Sequence, residues 1–110
     1  MSEVSWFKEL FDREPKPPKF PFLRLEKGEE RVIEILDAEP QIVTMKGKKV
    51  GILHVRNGAR IYRLRINSIS LGQRLYDLQM IHGSLKGLKV KIRKPTGEGE
   101  DRYWRVEEVE

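Results

Sequence analysis

Between Lys48 and Ser68 the chain reads KKVGILHVRNGARIYRLRINS, with six lysines or arginines, seven residues from the Val, Ile and Leu group, and no acid. The chemistry open to such residues is binding rather than bond-making. Ammonium and guanidinium groups spaced along extended backbone neutralise a row of phosphates, and the released counterions drive association. Bases are then held by stacking on aromatic rings or guanidinium planes, at about 1–3 kcal/mol per base. The other reading of the same residues is that they solvate the outside of a sheet.

The charge of the whole chain bears on that choice. The net charge is +5 over 110 residues, but it is segregated. Residues 1–39 hold seven basic and ten acidic side chains; residues 40–97 hold 13 basic ones and a single acid, Asp77; residues 98–110 hold two and six. A mixed surface serves solubility as well as a segregated one, so segregation argues about partners and favours a polyanion.

Other chemistries lack their residues. With no cysteine, thiol nucleophiles, disulfides and zinc–thiolate sites are excluded. No HExxH, GxSxG or phosphate-binding glycine loop is present. The two histidines, His54 and His82, fall on different predicted elements. Glu29-Glu30 and Glu107-Glu108 are adjacent pairs that point to opposite faces of a strand. The expectation is a protein that is not an enzyme and uses no metal or cofactor. No apolar run approaches the ~18 residues of a membrane span, and no signal-peptide pattern opens the chain, so a cytoplasmic protein with no membrane partner is expected. Lys/Glu-rich composition without cysteine is the bias of hyperthermophile proteins.

Several elements must position the basic residues. Residues 2–12 predict a short helix, with Ser2 as cap and Val4, Phe7, Leu10 and Phe11 on one face. A helix this short is marginal alone, so Trp6, Phe7, Leu10 and Phe11 must dock on the protein's own body, a second copy or another protein. Residues 13–22 carry four prolines and read as an extended arm, which Phe20 and Phe22 can anchor or lend to base stacking. A long strand follows over 30–44, with a bend at Pro40. The turn MKGKK (45–49) leads to a second strand over 50–56, and Asn57-Gly58 predicts a two-residue type I′ hairpin to a third over 59–67. Alternation puts Tyr62, Leu64 and Ile66 on one face of that strand, with Ile61, Arg63 and Arg65 on the other. The period then changes to 3.6. Leu71, Leu75, Leu78 and His82 line a stripe of a helix over about 70–82, with Ser70 and Gln73 as a capping box and Gly83 past its end. Strands over 85–94 and 102–109 close the chain; the first turns Lys89, Lys91 and Arg93 outward.

Three strands, a helix and two strands is the element order of the OB-fold, a five-stranded Greek-key barrel. Through that order, the MKGKK loop, the VRNGARIY hairpin, the helix SLGQRLYDLQMIHG and the phrase GSLKGLKVKIRK, residues 28–110 resemble the single-stranded DNA-binding OB domains of the archaeal and replication-protein-A kind. The resemblance implies a mostly β barrel domain over 28–110, preceded by the helix (1–12) and the Pro-rich arm (13–27). It also implies a ligand path across the second and third strands, flanked by the loops at 44–49 and 94–102.

The residues that fall on that path and could hold nucleic acid are Lys46, Lys48, Lys49, Arg56, Arg60, Arg63 and Arg65. Tyr103 and Tyr62 are the stacking candidates, although Tyr62 shares a face with Leu64 and Ile66 and can equally be core. Lys91, Arg93 and Arg105 extend the track or solvate an outer face. His54 is a solvated strand residue or a base contact. The loop at 95–101 carries three acids, which argues against its gripping phosphates. The expected function is single-stranded nucleic-acid binding of low sequence specificity, DNA before RNA, in replication or repair. The alternative is an assembly module that uses the N-terminal helix to join a second copy or a replication or repair protein.

Overall fold

In a computed structural model, residues 5–13 and 19–109 are described, apart from the side chains of Ser5 and Phe7. A short helix, α1 (Ser5–Phe11), precedes strands β1 (Glu30–Ile35), β2 (Gln41–Met45), β3 (Lys48–Asn57) and β4 (Arg60–Ile66). Helix α2 (Ile69–His82) follows, then β5 (Lys89–Arg93) and β6 (Arg105–Glu108). No helix among the described residues is long and apolar enough to cross a membrane. The architecture is mostly β: one antiparallel sheet of six strands with two helices.

The expected long first strand is two strands. The chain breaks over residues 36–40, ending at Pro40, and its halves pair with different parts of one neighbour. β3 takes β2 along its first half, Gln41↔Ile52 through Met45↔Lys48, and β1 near its end, Ile35↔Val55. On its other side β3 pairs with β4 from Gly51↔Ile66 to Asn57↔Arg60. β1 continues the sheet into β5, and β5 into β6. The sheet is not closed into the expected barrel, because no ladder joins β4 to β6.

The free edge of β4 is taken by the arm. The Leu23 N–H donates to Arg63 O at 2.9 Å and the Arg63 N–H to Pro21 O at 2.8 Å, so Phe22 bridges Arg63 in parallel on the β4 edge. Leu25 reaches the core, and the Lys94 ammonium caps its carbonyl at 3.3 Å. The second half of the predicted connector is thus part of the folded body.

The core is filled from β1, β3, β4, α2 and β5. Ile33 and Ile35, Leu53 and Val55, Leu64, Leu71 and Leu75, Leu85, Val90 and Ile92 form one buried cluster, with Trp104 and Tyr62 packed at its margin. α2 keeps the expected stripe: Leu71 and Leu75 are buried, and His82 at its end meets Glu108 at 2.9 Å. Gly83 stops the helix in the left-handed conformation (φ 83°), as expected of a residue past a helix end. The capping box is not made. Ser68 stands at the N-cap without capping the helix backbone, its hydroxyl instead 3.0 Å from that of Ser70; Ser70 Oγ accepts the Trp104 N–H, and Gln73 turns to Asp77. The tertiary contact with Trp104 outcompetes the local cap.

The Asn57-Gly58 signal marks the hairpin but not its register. Asn57 pairs with Arg60, so Gly58 and Ala59 are the two turn residues. Only Gly58 has positive φ (65°), the sign pattern of a type II′ turn. Lys46 and Gly47 both have positive φ (50° and 79°), so the type I′ pattern falls on the β2–β3 turn.

The loop between β5 and β6 is built on one carboxylate. Asp101 takes both guanidinium nitrogens of Arg93 (2.8 and 2.9 Å) and both the amide and hydroxyl of Thr96 (3.0 and 2.8 Å). The Arg93 bonds first, then the Thr96 bonds, hold the Asp101 carboxyl well below the usual carboxylate range. A carboxyl whose pKa is lower folded than unfolded contributes stability above its unfolded pKa of about 3.9, and loses it as pH falls further. Asp101→Asn is therefore expected to lower the melting temperature at pH 7. The gap from the parent protein should narrow as unfolding is repeated from pH 4 downward, and a gap that widens there contradicts the assignment.

Candidate functional site

The β3–β4 ladder sorts its residues between two faces. Leu53 opposes Leu64 and Val55 opposes Tyr62 on the inner face; Ile52 opposes Arg65, His54 opposes Arg63 and Arg56 opposes Ile61 on the outer one. Arg63 and Arg65 therefore face outward, as alternation predicts, while Leu64 is buried. Tyr62 stands on the inner face against the core and is withdrawn as a stacking residue. Ile52 is only 4 % exposed although it lies on the outer face. It belongs to a second apolar patch, seated outside the main core.

The arm completes that patch. Phe20 and Phe22 lie on the outer face while Leu23 and Leu25 turn in. The Arg63 guanidinium sits 4.1 Å from the centre of the Phe22 ring and that of Arg65 4.9 Å from it. Each such contact contributes about 0.5–1 kcal/mol at an exposed site. The Arg63 Nε–H also donates to Phe20 O at 2.6 Å. The Phe20 ring meets His54 edge-on, with centroids 5.9 Å apart. The His54 Nδ1 lies 2.9 Å from Asp37 Oδ2, and the same oxygen accepts the His54 backbone N–H at 2.7 Å. Carboxylate and backbone thus fix the imidazole's orientation. Phe20, His54 and Arg63 join Val43, Met45 and Ile52, with Lys19, Gln41 and Thr44, around an open cavity of about 310 Å³. This is the low end of ligand-sized cavities, which run upward from ~300 Å³.

Around this centre the cations divide into paired and unpaired. Arg56 stands 3.6 Å from Glu34, across the β3–β1 pairing. Lys91 stands 3.5 Å from Glu30 and 3.9 Å from Glu107, and Arg93 is spent on Asp101. By contrast Lys46, Lys48, Lys49, Arg60, Arg63 and Arg65 have no carboxylate within ion-pair distance among the described residues. Of these six, Lys48, Arg63 and Arg65 share the outer face by alternation, Lys46 lies in the β2–β3 turn, and Lys49 and Arg60 fall on the opposite face at the two ends of the ladder. At ~3.3 Å per residue the 10 residues of β3 make a track of about 30 Å.

The remaining expected site residues lie elsewhere. Lys91 and Arg93 are on the β1–β5–β6 stretch of the sheet, where strands on both sides of β5 bring acids to face them. Tyr103 is 67 % exposed, but it lies over the start of α2, beside Ser68, Ser70, Arg74 and Arg102. Arg105 sits on β6 opposite Arg93 and lines a cleft with Arg74 and Glu107. None of these four lines the cavity with Phe20 and Arg63. Of the expected interaction residues, Trp6, Leu10 and Phe11 are more than half exposed on α1, and the Phe7 side chain falls outside the described residues. Phe20, Phe22 and the pairing of His54 with Asp37 are the parts that strand-by-strand reading undervalues. The alternation of Phe20 and Phe22 was their one signal.

Phe22→Ala removes the ring that two guanidiniums share. It is expected to speed hydrogen exchange at the Leu23 amide by several-fold through local opening of the arm, with Leu64 unchanged. Equal acceleration at both sites would mean that the arm is no separate unit. Compared with protein-family models, with curated proteins and with solved structures, the chain shows no match.

Proposed function

We propose that the outer face of β3 and β4, with the β2–β3 turn and the arm, binds the backbone of single-stranded nucleic acid with little sequence preference. The observation that carries this is the division of the cations. Lys91 and Arg93 on β5 are paired with acids, whereas the six along β2–β3–β4 are not. Two guanidiniums sharing one phenyl ring without a counterion are repelled by each other, and an anion laid across them relieves that repulsion. The Phe20–His54–Arg63 cavity offers aromatic and cationic faces for a base, and the arm supplies the rings that the strands lack. The element order also suits an OB-type domain, in which the arm takes the place of the closing pair of strands. In that reading single-stranded DNA is the first ligand, RNA the second, and replication or repair the setting. The chain works as a binding protein without catalysis or cofactor.

A second reading is favoured by α1, where Trp6 is 60 % and Leu10 67 % exposed. An amphipathic helix with that face outward suits a replication or repair partner. Leu10→Glu should abolish such an association and leave nucleic-acid affinity within twofold.

Fluorescence anisotropy of labelled oligo-dT, an equally long duplex and the matching RNA tests the first reading. Binding should favour the single strands, and log K should fall with log salt with a slope of about −4, for six phosphates at ~0.7 each. The double variant Arg63→Glu/Arg65→Glu should weaken binding more than tenfold. Equal affinity for duplex, or no binding to any ligand at low salt, removes the proposal.

A further inference from the structure

We infer that the chain forms a symmetric dimer by antiparallel pairing of β2 with β2 of a second copy. The sheet has three outer strands, and two are protected in the usual ways, by charge or by cover. β6 reads RVEE, and β4 carries three arginines and the bridging arm. β2 reads QIVTM: five residues, no charge, no proline, three of them β-branched, and, among the described residues, a ladder on one side only. Ile42 on this strand is 72 % exposed. It lines an apolar groove of about 330 Å³ with Pro40, Ile66 and Tyr76, and Tyr76 is itself 56 % exposed.

Charge complementarity selects a second copy as the occupant. An antiparallel pair is related by a two-fold axis, so the strand meets its own reverse. The end preceding β2 carries the exposed acid Glu39, and the end following it carries Lys46, Lys48 and Lys49. Self-pairing centred on Val43 lays each Glu39 beside the lysine turn of the other copy, twice. Parallel pairing would set lysines against lysines. Because paired residues share a face, the outer faces of both copies come to the same side of one continuous sheet. The two cationic tracks are then joined. The pairing stands or falls independently of what those tracks bind.

Sedimentation equilibrium of the full chain over a wide concentration range reads the state directly. The parent protein is expected to be a dimer at micromolar concentration and above. Ile42→Lys places a charge on the exposed edge and should raise the dimer dissociation constant at least tenfold while leaving the far-UV circular-dichroism spectrum of the folded chain unchanged. Leu10→Glu on α1 should leave it unchanged. Because the chain has no cysteine, Thr44→Cys gives a single thiol beside the axis. A short bis-maleimide should link it into dimers, and should not link Ala59→Cys at the far hairpin tip. A monomeric parent protein, a dimer indifferent to Ile42→Lys, or cross-linking through Ala59→Cys alone overturns the inference.

Discussion

The pairing of His54 with Arg63 and of Leu53 with Leu64 is the constraint on which the other features rest. Strand side chains alternate strictly, so a slip of one residue in this ladder would bury the arginines and expose the leucines. The turn at Gly58 and Ala59 and the burial of Leu53, Val55 and Leu64 hold the register from both ends. With it held, Arg63 and Arg65 stand outward, and Arg63 presents its backbone to the arm and its guanidinium to Phe22. The arm can then take the β4 edge with its leucines inward and its phenylalanines outward. One register thus sets the core, the seating of the arm on the β4 edge and the electrostatics of the outer face.

The contrast between the two halves of the sheet follows from which strands are neighbours. β5 lies between β1 and β6, both of which alternate acids into the outer face, so Glu30 and Glu107 fall beside Lys91. β2 and β4 flank β3 and bring no acid. Asp37, a carboxylate beside the patch, is held by the backbone and imidazole of His54. The segregation of charge along the chain becomes a segregation in space because the topology keeps residues 41–66 together at one end of the sheet.

Periodicity made much of this legible. The alternation in RIYRLRI gave the correct face for Ile61 through Ile66, and the 3.6 period gave α2 with its Leu71 and Leu75 stripe. Pro40 announced the break in the first strand. The failures have particular causes. Gly58, not Asn57, takes the first turn position, which shifts the hairpin by one residue. Ser70 bonds to Trp104, a partner 34 residues away that no local motif contains. Lys91 and Arg93 look free until cross-strand neighbours are known, since a strand's own sequence says nothing of what stands opposite. Tyr103 is exposed, as a stacking residue must be, but its place over the start of α2 depends on the path of the loop before β6. The arm was underestimated because proline-rich backbone suggests a spacer, and an edge bridge needs only two hydrogen bonds at its non-proline positions.

The central claim is that the unpaired cations of the β3–β4 face, with the arm's two rings, are where a single strand lies. Backbone amide chemical-shift mapping during titration with a short oligo-dT tests this residue by residue. The account predicts that shifts concentrate at Lys46 to Lys49, Ile52, His54, Arg63 and Arg65 and at Phe20 and Phe22, with Lys91, Arg93 and Tyr103 unmoved. Shifts centred on Tyr103 and the start of α2, or along β5, would contradict it.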